Sequence, residues 1–167
     1  ADGKDVLGTA ALDATGRVTF TTSTLPTGTA KITATYAGNA NYVGSKSPVL
    51  NQIVQLLPKV RFASNSTRVA ENVGTVTVVV ERVGSTAGPV TVAFATANGT
   101  ATAPSDYVAQ SGTLSWAAGD GSAKSIVIPI VADSVAELEE SFTVTLRAPT
   151  GATLGTRSTF TVSIRRN

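Results

Sequence analysis

The chain has 167 residues and a formal charge of +2, and only 14% of its residues are charged. It contains no Cys, His or Met, which excludes a disulfide framework, a thiolate zinc site, a Ser-His-Asp triad and an imidazole general base. Without a run of Lys or Arg there is no electrostatic footprint for nucleic acid, and no apolar run approaches the roughly 20 residues of a membrane helix.

Thr, Val, Ala and Gly dominate, a mix that favours strands and turns over helices. In chain order, the first strand candidates are Leu7–Asp13, Arg17–Ser23, Thr29–Ala37 and Pro48–Gln55. Turn sequences at Asp13–Gly16, Leu25–Gly28 and Gly38–Asn41 separate them. Gln55-Leu-Leu-Pro-Lys59 reads as a short, stiff linker. From Ser66 onward the alternation is stricter. Val76, Val78 and Val80 form one apolar series, followed by Val90, Val92 and Phe94, and then by Ile126, Ile128 and Ile130. Two more follow, Phe142, Val144, Leu146 and Phe160, Val162, Ile164. Their partners are mostly Thr and Ser, the pattern of antiparallel strands with one buried face. Several such strands at regular spacing predict a sandwich. Same-parity alternation predicts Val78, Val92, Phe94, Ile128, Phe142, Val144 and Val162 on its inward face. Pro129 cannot donate to a ladder, so its strand is expected at a sheet edge or at a bulge.

Four motifs lie between these strands: Asn98-Gly-Thr-Ala101, Asp106-Tyr107, Gly112-Thr-Leu-Ser-Trp116 and Glu140-Ser-Phe142. In this order, with the alternating strands around them, the stretch from Val60 to Ile164 resembles a Calx-beta domain. The earlier residues carry Leu7-Gly-Thr-Ala-Ala-Leu-Asp-Ala-Thr-Gly16, Leu25-Pro-Thr-Gly28 and Ile32-Thr-Ala-Thr-Tyr-Ala-Gly-Asn-Ala-Asn-Tyr42. They are similar to the later half of a bacterial Ig-like repeat, with Asn39 where that family usually has an acidic residue. The expected organisation is therefore all-β, with a partial Ig-like domain at 1–55, a linker at 56–59 and a Calx-beta domain at 60–167. That makes two Ig-like/Calx-beta antiparallel β-sandwiches in tandem, the first incomplete against the roughly 100 residues of a full sandwich. Ala1-Asp-Gly begins inside a pattern, so the chain is expected to belong to a longer one. Four strands with one apolar face leave an open edge and uncovered Leu, Ile and Val. The absent strands come either from the same chain or from another copy by sheet augmentation.

The Calx-beta resemblance implies a calcium site, because in some members carboxylates from several loops converge at one end of the sandwich. The matching positions are Glu71, Asp106, Asp133, Glu137 and Glu140. Calcium takes six to eight oxygens at about 2.3–2.6 Å, which suits carboxylates from separate loops. Two departures weaken the match. Ala132-Asp133-Ser134 stands where the family often has paired aspartates, and Arg165-Arg166-Asn167 stands where another aspartate pair usually follows the last strand. Two guanidiniums oppose a cation, and each lost carboxylate removes both a ligand and a charge. Two readings stay open: a single weak calcium, or an acidic loop that is solvated or paired with Arg165 and Arg166 through Glu137, Glu139 or Glu140.

Tyr107 and Trp116 are expected in the core, and Gly99-Thr-Ala101 as a turn, since it lacks the further glycines and the lysine of a phosphate loop. No constellation marks an enzyme. The leading expectation is a structural or adhesive segment of a large secreted or cell-surface protein, able to form fibres by strand donation. Its partners are then neighbouring domains or copies of the same chain through sheet edges, with no nucleic acid and no membrane insertion in this segment. The alternatives are a calcium-responsive Calx-beta module and an accessory spacer or binding domain of a secreted hydrolase.

Overall fold

Regular structure is almost entirely β-strand, and among the described residues the helical content is one 3-10 turn at Glu71–Val73. The structure, a computed structural model, describes residues 5–133 and 138–165. It divides into two units, Ala1–Gln55 and Leu56–Asn167.

In the first unit, β1 (Gly28–Ile32) pairs antiparallel with β4 (Leu50–Val54), and β2 (Thr35–Tyr36) pairs antiparallel with β3 (Ser45–Lys46). The strand expected over Thr29–Ala37 is thus broken in two. At the break, the Ala34 N–H donates to Ser47 Oγ at 3.0 Å and the Ala34 carbonyl accepts the Ser47 N–H at 2.9 Å. Leu7–Asp13 and Arg17–Ser23 carry no assigned strand, contrary to expectation. An isolated two-segment hairpin is marginal without further strands beside it, and here the pairing is carried at the turn. Asp13 N–H donates to the Arg17 carbonyl at 2.8 Å. Asp13 Oδ1 accepts the Arg17 N–H and both the N–H and hydroxyl of Thr15, which holds its carboxyl below the usual range. The Phe20 ring lies where a Cβ on residue 8 would be, so Gly8 is what lets the segments meet. No described residue of this unit is buried. Leu25, Ala30, Ile32, Tyr36 and Val54 are half-buried, while Leu12, Val18, Phe20, Leu50 and Ile53 are exposed.

Leu56 and Leu57 are exposed, but Pro58 is buried with its carbonyl accepting the Thr153 N–H, and Lys59 opens β5 (Lys59–Phe62). The further strands are β6 (Ser66–Ala70), β7 (Thr75–Val83), β8 (Val90–Asn98), β9 (Ser111–Trp116), β10 (Lys124–Pro129), β11 (Glu140–Thr150), β12 (Thr153–Leu154) and β13 (Thr159–Arg165). They make a four-stranded sheet in the order β10-β7-β5-β12 and a five-stranded sheet in the order β6-β13-β11-β8-β9. Pro129 lies on the edge strand β10, where its missing N–H costs no ladder bond.

Buried residues from both sheets form one core. Val78, Val92, Ile128, Phe142, Val144 and Val162 are buried as their parity predicts. Phe94 is only half-buried against that core. It pairs with Gly112 of the edge strand β9, and its ring covers that glycine, so no side chain opposite closes over it.

Arg82 is a buried charge whose guanidinium donates to backbone carbonyls. Its Nε and Nη2 reach the Ser85 carbonyl at 3.1 and 2.7 Å, Nη2 reaches Gly88 at 2.8 Å, and Nη1 reaches Asp120 at 3.2 Å. The fork thereby binds the β7–β8 turn to the β9–β10 turn. Asp120 pairs with Lys124 at 2.8 Å and also accepts from Ser122, and these bonds hold its carboxyl far below the usual range.

Candidate functional site

The sequence motifs meet one another at one end of the second unit. Gly99 sits against the Ser141 carbonyl so closely that a Cβ there would collide with it. The Ser141 carbonyl also accepts the Ala101 N–H at 2.9 Å, and the Ser141 N–H donates to Thr100 Oγ1 at 2.8 Å. Gly-Thr-Ala therefore clamps the start of β11, which brings Phe142 into the core. Tyr107 is buried and stacked on Phe142, with ring centroids 3.9 Å apart and planes 8° from parallel. Its hydroxyl donates to Asn98 Oδ1 at 2.6 Å, and burial pushes its pKa up. Asn98 Oδ1 also accepts the Ala103 N–H at 3.0 Å. Trp116 donates through Nε1 to the Ser122 carbonyl at 2.6 Å, satisfying the one polar atom of a buried indole.

The acidic positions are placed by three neighbouring loops. Glu71 opens the 3-10 turn and is 9% exposed; its Oε1 accepts the Asp133 N–H at 3.0 Å. Asp106 is also 9% exposed, and its Oδ2 accepts the Thr102 N–H at 2.6 Å, closing its own loop. Asp133 follows β10 and is exposed, and Glu140 is half-buried as the first residue of β11, opposite Ile164. Glu137 lies outside the described residues, as does Arg166. The loops are also joined through the backbone. Ile130 N–H donates to the Gly74 carbonyl at 2.9 Å, Val131 N–H to Asp106 at 3.0 Å and Val108 N–H to Pro129 at 3.0 Å.

Glu139 Oε1 pairs with Arg68 Nη2 at 2.8 Å. Strand β13 lies between β6 and β11, setting Arg68 opposite Ser163 and Glu140 opposite Ile164, so that Arg68 and Glu139, the residue before Glu140, reach each other across it. Arg68, Thr102 and Asn98 thus belong to this end, and sequence reasoning missed all three as participants. Only Asn98, at the head of a motif, carried a local signal. Each bond described above sends a carboxylate oxygen to a protein donor, and among the described residues no three acidic side chains gather closely enough to hold a metal ion.

Residues 56–165 match the model of the Calx-beta domain. The chain belongs to the Calx-beta family. Residues 1–55 match the bacterial Ig-like domain (group 3). Among solved structures, the Calx-beta unit is similar to the apo-form Calx CBD1 domain, at 30% identity and a TM-score of 0.64, covering 67% of this chain and 99% of that one. It is also similar to the calcium binding domain CBD12 of CALX1.1, at 32% identity and a TM-score of 0.61, covering 64% of this chain and 44% of that one. CBD12 from CALX1.2 is similar at 31% identity and a TM-score of 0.62, over 65% and 45% of the two chains. The chain thus spans less than half of the CBD12 structures it matches. Among curated proteins none matches significantly. Calx-beta and bacterial Ig-like domains are structural and binding modules, and the fold is the all-β sandwich architecture that the Calx-beta motifs imply.

Proposed function

We propose that this chain is a structural and adhesive segment of a large secreted or cell-surface protein, without catalytic activity of its own. The observation that carries this reading is the first unit. None of its described residues is buried, and an open groove runs beside β1 and β4, lined by Phe20, Leu25, Ile32, Gln52 and Val54 among others. A surface of this kind, with free strand edges, takes up another strand; the main chain supplies affinity and alternate side chains supply fit. Donation head to tail builds a fibre, whereas reciprocal exchange builds a dimer. The Calx-beta unit contributes a buried core of its own.

Light scattering on size-fractionated protein, joined to hydrogen exchange, tests the reading. Dimers or polymers are expected, with the amides of β1 and β4 protected only in those species. A monomer of 16.9 kDa whose first unit is already protected would refute strand uptake.

A calcium-responsive role is the second reading, supported by the two carboxylates Glu71 and Asp106, both only 9% exposed at the same end. The related CBD12 of CALX1.1 is described as a calcium binding domain. With the terminal aspartates replaced, binding at Glu71, Asp106, Asp133, Glu137 and Glu140 belongs at the weak end of the range, about 10⁻⁴–10⁻³ M. Titration calorimetry with CaCl₂ measures this directly, and a submicromolar affinity would contradict it.

A further inference from the structure

We infer that the described part of this Calx-beta loop end, the 3-10 turn, the loop of Asp106 and the segment 129–133, is assembled by the protein's own donors and keeps its shape without calcium. A cation at such an end would do two things: it would draw separate loops together, and it would neutralise their carboxylates. Both tasks have protein agents here, the second at Glu71 and Asp106. The 3-10 turn is drawn to the β10–β11 loop by the Glu71–Asp133 bond, across 62 residues of sequence, and by the Ile130–Gly74 backbone bond. The loop of Asp106 is drawn to the same segment by the Val131–Asp106 and Val108–Pro129 backbone bonds and by the Tyr107–Ile130 bridge. Buried carboxylates are stable when backbone N–H groups donate to them, and Glu71 and Asp106 each have such a donor. A positive charge also reaches this end, from Arg68 on β6, which takes Glu139. Arg68 is well exposed, so its pair adds little by itself. The backbone donors are the principal agents.

The test compares the intact chain in EGTA with the same chain in 0.1 mM free Ca²⁺, using thermal unfolding followed by Trp116 fluorescence. The wild-type midpoint is expected to move by less than about 2 °C between the two conditions, since calcium at or below its dissociation constant stabilises little. Glu71→Gln keeps an oxygen to accept the Asp133 N–H and is expected to melt within about 2 °C of wild type in both. Glu71→Ala leaves that donor unpaired and is expected to melt about 4–8 °C lower, equally in both. Hydrogen exchange supplies a measurement that needs no variant: the amides of Ile130, Val131 and Asp133 are expected to be protected in EGTA as in calcium. The inference is overturned if calcium raises the wild-type midpoint by more than 5 °C. It is equally overturned if Glu71→Gln falls as far as Glu71→Ala, or if those three amides are protected only with calcium present.

Discussion

Replacing Phe142 by Ala is expected to destabilise the Calx-beta unit by about 3–5 kcal/mol, the range for emptying a buried aromatic site. Phe142 lies in β11, between Val162 of β13 and Asn98 of β8, in the middle of the five-stranded sheet, and is fully buried. The surroundings cannot collapse into the vacated space, because the strands on both sides are held by their ladders. Tyr107 loses its stacking partner at 3.9 Å, a contact contributing about 0.5–1.5 kcal/mol beyond area burial. For a domain of this size the midpoint should fall by about 12–20 °C. Trp116, the single Trp of the chain, lies in the same unit and reports the transition. Phe142→Leu refills most of the volume and should recover the larger part of the loss. A fall of less than about 1 kcal/mol for Phe142→Ala would show that the motif Glu140-Ser-Phe142 does not anchor the core as described.

Truncating Arg82 to Ala is expected to cost about 2–4 kcal/mol, since hydrogen bonds to charged groups contribute about 1.5–3 kcal/mol and several are lost together. The carbonyls of Ser85, Gly88 and Asp120 belong to turns and regain water in part, which limits the loss. Arg82→Lys separates fork geometry from charge. An ammonium is a point donor on a flexible stem and cannot span two turns as a planar guanidinium does. It should retain less than half of the lost stability. Exchange of the amides at 84–89 and 117–121 should rise in both variants while that of β11 and β13 changes little. A lysine variant with wild-type stability would show that charge alone suffices at this position.

The second unit was largely legible in the sequence because a two-residue period assigns each side chain to a face before any partner strand is known. Val78, Val92, Ile128, Phe142, Val144 and Val162 are buried on that ground alone. Pro129 pointed to an edge or a bulge for an equally local reason, its missing N–H, and β10 is an edge strand. Leu7–Asp13 and Arg17–Ser23 carry a similar alternation, yet no strand is assigned to them. Alternation says which face would be buried; a strand also needs a ladder partner, which only the assembled fold provides. The same division runs through the candidate site. Glu71, Asp106, Asp133 and Glu140 could be named from their motifs. What their carboxylates hold could not, because the Asp133 N–H reaches Glu71 across 62 residues and Arg68 reaches Glu139 across β13. By itself the sequence determined the inward faces, which follow from covalent spacing along one strand, and through its motifs the resemblance that named the fold class and the acidic positions. Tertiary structure decided which donors those acids meet, because hydrogen-bond partners are chosen by distance in space, and strand order and register set that distance.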